Sequence, residues 1–422
     1  MAHHDSNPFL ELLKVWLLAK LIEHHSRALG FCQRQRKIDP VFFVWTLILG
    51  FSASSTRSIS GLHRAYQRAL GCDCDRSAFY KRFTPQLVSL LDALFQQLTC
   101  QTSQERRLGA FADILALDST IIALWTRLAP QFCAYKQGQA AAKLQVVMSL
   151  KQATPNRVLI HQGTRSDHRA WTKVGTWVAG RLLLMDLGYY KHWLFHRIHQ
   201  NQGFFLSRIK SSCALVILQD HSFGAGRRVD VVGCHLSQAL KRFKRQQFEF
   251  IVQVPVMLRG GRRITYQWRA IGQRHPETGK YHVYLTNAPP ELIPGEDARQ
   301  LYALRWQIEL LFKGLKSVGR LHQLPSSKRE VVEALIKAAM LFVALSGWLK
   351  QTLFEHQESL MLGLLRVQMV LRQWAPRLHH QLGQTRPNYQ KQCELQTFRA
   401  QCRDPNGARI RAFAIAAIVE HS

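Results

Sequence analysis

Ala110-Phe111-Ala112-Asp113-Ile114-Leu115-Ala116-Leu117-Asp118 marks the point where this chain changes its period. Upstream, to about residue 105, apolar residues recur with helical spacing. From residue 109 onward, short β-type runs bounded by turn residues take over. The quoted run predicts a strand that ends in an acid. Residues five apart in a regular strand face opposite sides, so Asp113 and Asp118 are assigned to different faces.

Downstream, Leu144 to Leu150 and Arg157 to Gly163 read as strands joined by a turn at Thr154-Pro155-Asn156. A helical segment from Asp167 to Val178 precedes a strand from Arg181 to Asp186. A helix from about Tyr190 to His199 and a strand from Gly203 to Ile209 follow. Three strands, helix, strand, helix, strand is the order of a ribonuclease-H-like sheet, with acids at the ends of its first and fourth strands. After Lys210 the chain turns β-rich and basic, with thirteen Lys/Arg against three acids between Arg208 and Arg274. From Glu296 it is helical again, with loops near Ser326 and at 386–388.

Upstream, helical patterns at Ser58 to Leu70 and Asp75 to Phe83 flank Gly71-Cys72-Asp73-Cys74, and Pro85 opens a further helix. The pair reads either as a plain helical hairpin or as a helix-turn-helix. In the second case Arg76, Ser77, Tyr80, Lys81 and Arg82 lie where base contacts are made. The expected fold is α/β: a ribonuclease-H-like catalytic core with an inserted basic β subdomain, flanked by helical N- and C-terminal regions. The expected division is 1–105, helical and DNA-binding; 106–350, catalytic, with the insertion at about 211–290; and 351–422, helical and a candidate for dimerisation.

The segment Tyr302 to Lys316 carries the third acid. At about 100° per residue, Tyr302, Arg305, Glu309 and Lys316 fall within an arc of roughly 60° on one helix face. Leu304, Ile308, Leu311 and Leu315 cluster opposite. One carboxylate is thus set among two cations and a phenol. That grouping suits a metal held beside a phosphate.

The bulk numbers agree with a polyanion partner. The 422 residues carry 57 Lys plus Arg against 27 Asp plus Glu, for a formal net charge of +30. Such a surplus favours a phosphate backbone through counterion release, and it is spread through apolar-periodic sequence rather than confined to low-complexity arms. The nine cysteines have no repeating spacing, and Cys72-Asp73-Cys74 is too tight for zinc pairing. They read as reduced thiols. The longest apolar runs, Val41 to Phe51 and Ala338 to Trp348, are shorter than the ~20 residues a bilayer needs. The expectation is a soluble, cytoplasmic, nucleoid-associated bacterial protein with no membrane partner.

Phosphodiester chemistry with two metals needs carboxylates converging from separate elements. Asp118, Asp186 and Glu309 are the candidates. Leu117-Asp118-Ser119-Thr120, Asp186-Leu187-Gly188-Tyr189 and the Tyr-x2-Arg-x3-Glu-x6-Lys pattern at Tyr302, Arg305, Glu309 and Lys316 resemble bacterial DDE transposases of the insertion-sequence-four group. The long gap from 186 to 309 falls where that group carries a β insertion. The resemblance implies cut-and-paste transposition, with Asp118, Asp186 and Glu309 binding two Mg2+ or Mn2+ ions. It also implies that Arg305 and Lys316 hold phosphates beside Tyr302. The partners implied are double-stranded DNA, as terminal inverted repeats and target, and a second copy of the chain on paired ends. Where a hairpin intermediate forms, an aromatic side chain in the insertion traps an unstacked base. Trp268 is taken for that role, with Tyr281 and Tyr284 as alternatives, against the plainer reading of Trp268 as a residue buried in the sheet.

Other candidates are weighed down. His192, His196 and His199 share a helix face but gain no carboxylate, and read as a solvated or DNA-facing stripe rather than a zinc site. Lys136 and Lys143 are candidate DNA contacts, or plain surface lysines. Asp167 reads as a helix cap rather than a fourth ligand. The segment Leu335 to Trp348 reads as cover for the sheet or as part of a protein–protein contact, and Leu360 to Trp374 is the alternative contact segment. Two other functions fit the sequence: a non-catalytic DNA-binding regulator of the same descent, and a simple nuclease on the same core.

Overall fold

A computed structural model describes residues 8–34, 38–51, 58–101, 110–209, 213–222, 229–243, 245–258, 260–275, 277–354, 362–384 and 393–403. The expected boundary at 105/106 and the loop at 386–388 lie outside the described residues, as do 360 and 361 of the proposed contact segment.

The chain opens with helices α1 (Pro8–Trp16), α2 (Ala19–Ala28) and α3 (Pro40–Trp45), the last running into a π-helical turn, Thr46–Gly50. Asp39 caps α3, accepting the Val41 N–H at 2.9 Å ahead of Pro40 at the first helical position. Helix α4 (Ile59–Leu70) is capped by Ser58, whose Oγ accepts the Gly61 N–H, and stops at Gly71, whose φ of 61° a side chain would resist. Asp75 caps the short α5 (Arg76–Tyr80), and α6 (Pro85–Gln101) completes this group. The two helical patterns fall where the sequence puts them, although α5 ends before Arg82.

Nine strands then form one mixed sheet in the order β3-β2-β1-β4-β5-β9-β8-β7-β6. They are β1 (Ile114–Leu124), β2 (Ala140–Ser149), β3 (Thr154–Gln162), β4 (Leu182–Met185), β5 (Phe204–Arg208), β6 (Val216–Asp220), β7 (Gln247–Met257), β8 (Arg263–Arg274) and β9 (Tyr281–Thr286). β1 is antiparallel to β2 and parallel to β4, and β4 is parallel to β5. The first five strands therefore come in the expected order. The basic block does not stand apart: β9 pairs antiparallel with β5 and carries β8, β7 and β6 outward on the same sheet.

Three local expectations are corrected. β1 does not end at Asp118 but runs on to Leu124, because β2 keeps pairing with it through Leu124 opposite Ala140. The turn after β2 is earlier than Thr154-Pro155-Asn156, at 150–153, with Ala153 at a φ of 52°. The helix expected from Asp167 to Val178 shrinks to one turn, α7 (Asp167–Ala170), and a 3-10 turn at Thr176–Val178.

Helix α8 (His192–Gln200) lies on one face of the sheet against β5 and β7, and α9 (Leu236–Arg242) buries Leu236 and Ala239 in the same cluster as Ile217 and Phe250 of the outer strands. The other face carries α10 (Ala298–Ala303), α11 (Trp306–Ser317) and α12 (Arg329–Leu353), followed by α13 (Leu364–Gly383) and α14 (Cys393–Cys402). Helix α12 is long and apolar enough to cross a bilayer, which the shorter runs picked out in the sequence did not suggest. It is instead the spine of the fold, with Leu335, Ala339, Leu341 and Leu345 all within 1% of complete burial. It packs on β3, α6 and α13, so Leu335 to Leu345 are covered inside this chain rather than offered to a second copy. Lys337 Nζ, 2.5 Å from Asp92 Oδ1, pins it to α6.

Asp113, just before β1, shows the cost of burying an acid. Its Oδ2 accepts the Ser149 hydroxyl at 2.6 Å, yet burial pushes its carboxyl from the ordinary 3.8 up to about 6. A carboxyl raised on folding stabilises the fold below its ordinary value and loses that contribution as pH rises through about 6. The uncharged Asp113→Asn is expected to remove this decline. Urea melts at pH 4.5 and 7.5 should show wild type losing about 2 kcal/mol relative to the variant on going to the higher pH.

Candidate active site

The three sequence-predicted acids are brought together by two independent features of the fold. The parallel register sets Leu117 of β1 beside Met185 of β4, so the next residues of the two strands, Asp118 and Asp186, are neighbours. Glu309 arrives from α11, which packs across β1. Asp118 shares its side of β1 with Ala116 and Ile122, the side that meets α11, and Asp113 belongs to the other parity, as expected.

Arg305 ties the group together. Its Nη1 donates to Asp118 Oδ2 at 3.0 Å and its Nη2 to Glu309 Oε1 at 2.7 Å. The guanidinium is 17% exposed, which makes these charge-assisted bonds stronger than surface pairs. Helices α10 and α11 do not form the single helix read from the sequence. At Leu304 and Arg305 the N–H groups bond three residues back, to Leu301 and Tyr302, which tightens the chain between the two helices. Tyr302 remains beside Arg305, with the guanidinium 5.8 Å from its ring centre, and burial pushes its hydroxyl up to about 12. Lys316 is exposed, farther along α11.

Each strand-end carboxylate is oriented by a backbone donor. Asp118 Oδ1 accepts the Ser119 N–H at 2.7 Å, and Asp186 Oδ1 accepts the Gly188 N–H at 2.9 Å. Burial raises both carboxyls, Asp118 to about 6, and the neighbouring Asp186 and Glu309 charges push Asp118 the same way. Mutual repulsion among buried carboxylates, relieved by one guanidinium, is the electrostatic signature of a cation-binding place. Three hard oxygen donors suit Mg2+ or Mn2+ rather than zinc. Among the described residues no three or more His, Cys, Asp and Glu side chains stand as a ready-made metal cage. Here Arg305 supplies the positive charge between Asp118 and Glu309, and a divalent ion would take its place.

A fourth acid belongs to the same site, and the sequence reading missed it. Asp167 does not cap α7: Ser166 holds the cap position, and Asp167 Oδ1 instead accepts the Ser119 hydroxyl at 2.6 Å, Gln145 Nε2 at 2.8 Å and Lys143 Nζ at 3.0 Å. Burial pushes its carboxyl up, but these three donors outweigh it and hold it below the ordinary range. Lys143 is therefore a buried ion-pair partner and not a DNA contact, while Lys136 is exposed.

The remaining candidates fall in different places. Trp268 is 4% exposed on β8, stacked on Tyr266 at 4.8 Å and packed edge-on to Phe205. It is part of the core, and a core ring has no free face for a base. Tyr284 is equally buried, and Tyr281 donates its hydroxyl to the Arg245 carbonyl at 2.5 Å. His192, His196 and His199 form no metal cluster, and of the stripe only His199 is exposed, His192 and His196 being half-buried. They bond the Pro255 carbonyl, the Tyr266 hydroxyl and the Asn287 amide, fastening α8 to the sheet. Arg76 and Lys81 are exposed around α5, with Arg76 over the Tyr80 ring, whereas Arg82 turns back over Phe31. Seven described cysteines are free thiols.

The chain is similar in sequence to known transposases. The family described as Transposase DDE domain matches residues 109–345. The transposase for insertion sequence element IS231E of Bacillus thuringiensis subsp. finitimus is 24% identical over 83% of this chain and 80% of its own length. The transposase for IS1151 of Clostridium perfringens is 21% identical over 75% of each. A cryo-EM structure of the piggyBac transposase synaptic complex with hairpin DNA aligns over 97% of this chain and 84% of its own, at 10% identity and a TM-score of 0.46. The match spans more than half of the chain, from the start of the sheet into α12, and the chain therefore belongs to the DDE transposase family, enzymes that cleave DNA and transfer its strands in transposition.

Proposed function

We propose that this transposase cuts the ends of its own insertion element and joins them to target DNA at a centre made of Asp118, Asp186 and Glu309. The observation that carries the reading is that Arg305 bridges Asp118 and Glu309 while the parallel register of β1 and β4 sets Asp186 beside Asp118. Within this reading the first five strands are a ribonuclease-H-like core, and the chain is a member of the insertion-sequence-four group with the Tyr302, Arg305, Glu309 and Lys316 signature. Two divalent ions, Mg2+ or Mn2+, would lower the pKa of the attacking water or 3′ hydroxyl and stabilise the departing oxygen.

The chain's own groups do the rest. Ser119 and Gly188 N–H groups aim the two aspartates. Arg305, once released from the carboxylates, grips a phosphate through its fork, with Tyr302 packed beside it and Lys316 contributing a point charge. Arg76 and Lys81 at α5 contact duplex DNA outside the catalytic centre, in the helical region up to about residue 105. Residues 106–350 act as the catalytic unit and 351–422 as a helical tail that supports pairing. A homodimer on paired ends is the working species, because joining two ends in one event needs two active sites, and a hairpin intermediate is compatible with the chemistry. The protein acts in the cytoplasm, at the nucleoid.

Metal dependence tests the reading directly. With DNA carrying the element's own ends, EDTA is expected to stop cleavage and Mg2+ to restore it. Ca2+ should support binding with little cutting. Full cleavage in EDTA would overturn the reading.

A further inference from the structure

Asp167 Oδ1 is the meeting point of two chains of hydrogen bonds, each leading to one of the proposed ion-binding aspartates. The first runs from Asp167 Oδ1 to the Ser119 hydroxyl, and the Ser119 N–H in turn holds Asp118 Oδ1. The second runs from Asp167 Oδ1 through Gln145, whose Oε1 accepts the Tyr189 hydroxyl at 2.5 Å. Tyr189 closes the 3-10 turn whose Gly188 N–H holds Asp186 Oδ1. A Cβ on Gly188 would lie 3.1 Å from both Asp167 Oδ2 and Asp186 Oδ1, so the two acids face each other across that glycine.

We propose that Asp167 is a positioning residue for DNA cleavage: it fixes the separation and orientation of Asp118 and Asp186. The inference rests on the assignment of those two residues as ion ligands.

A carboxylate suits this task better than a neutral acceptor. Lys143, with a side chain only 7% exposed, pairs with Asp167, so the site gains a rigid anchor while the added negative charge is compensated locally. Three donors on one oxygen leave that carboxylate little freedom, and charge assistance strengthens each bond. Outer partners that orient metal-binding side chains commonly account for 10–100-fold in metal affinity or activity.

The test is a Mn2+ titration of the full chain on its end DNA, read by electron paramagnetic resonance, which needs no turnover. Asp167→Asn removes the charge but little volume and is expected to weaken Mn2+ binding by about 10–100-fold. Its cleavage should climb back toward wild type as Mn2+ is raised, whereas Asp118→Ala should stay inactive at any concentration. A purely structural Asp167 would lower the melting temperature in EDTA and leave the Mn2+ affinity of the folded fraction untouched. Mn2+ binding within twofold of wild type would overturn the proposal. Should Asp167→Asn not fold, Ser119→Ala carries the same test, since it deletes one strut and keeps the Lys143 pair. Wild-type Mn2+ binding by Asp118→Ala is a separate result, which would overturn the ligand assignment itself.

Discussion

Asp118→Ala, Asp186→Ala and Glu309→Ala are each expected to lower strand cleavage by about a thousandfold or more while leaving end binding within a few-fold of wild type. Removing one preorganised electrostatic donor from an active site already costs about 100–1,000-fold. Removing an anionic ligand from a site built of three does at least that, because it weakens ion binding as well as the charge balance. Affinity for DNA comes from elsewhere, from the phosphate contacts of a chain with a net charge of +30. Cleavage and gel-shift assays on the same end DNA separate the two effects. The Asp118 and Glu309 variants also remove a partner of Arg305, which is 17% exposed, so a small rise in nonspecific binding from the freed guanidinium is consistent with the same picture. Normal cleavage by any one variant would remove that residue from the centre.

The second large effect concerns stability. Arg269 and Glu249 form an ion pair at 2.7 Å inside the outer half of the sheet, with side chains 6% and 10% exposed. Arg269 Nη1 also donates to the carbonyls of Ala288 and Ile293, at 2.9 and 3.0 Å, which fastens the segment after β9 to β8. Arg269→Met leaves a buried carboxylate and two carbonyls without this donor. Breaking such a pair from one side costs about 3–5 kcal/mol. The urea midpoint should fall accordingly, with an unchanged slope. Adding Glu249→Leu is expected to recover most of the charge penalty but not the carbonyl bonds, so the double variant should lie between the single variant and wild type. A midpoint for Arg269→Met equal to that of wild type would show that the pair contributes nothing net.

Much of this site was legible in the sequence because its parts are local. Leu117-Asp118, Met185-Asp186 and the Arg305–Glu309 spacing are each a few residues long, within or at the end of one element, and strand order and the packing of α11 on β1 then bring them together. Asp167 was not legible. Its partners lie 48 residues away at Ser119 and 22 away at Gln145, and only the antiparallel pairing of β1 with β2 sets them side by side. A lone Asp after a Ser reads as a cap until that pairing is known. Trp268 illustrates the opposite error, since an aromatic residue in a basic strand carries no mark of which face it occupies. The union of the basic strands with the main sheet was hidden for a related reason. The free edge of β5 is a property of the assembled sheet and has no pattern in the residues that form it.

The burial of α12 has a consequence for the order of events on the ribosome. Helices α2, α4 and α6 are synthesised first, yet the core they share is completed by α12 and α13, some 230 to 280 residues downstream of α6. At roughly 5–20 residues per second, the early helices wait on the order of tens of seconds for their partners. During that interval Phe43, Leu47, Leu90 and Leu94, all fully buried in the finished protein, lack the part of their native cover that α12 and α13 supply. Nascent chains of this protein should therefore engage chaperones through residues 40–98, and that stretch should resist protease only once α13 has left the exit tunnel.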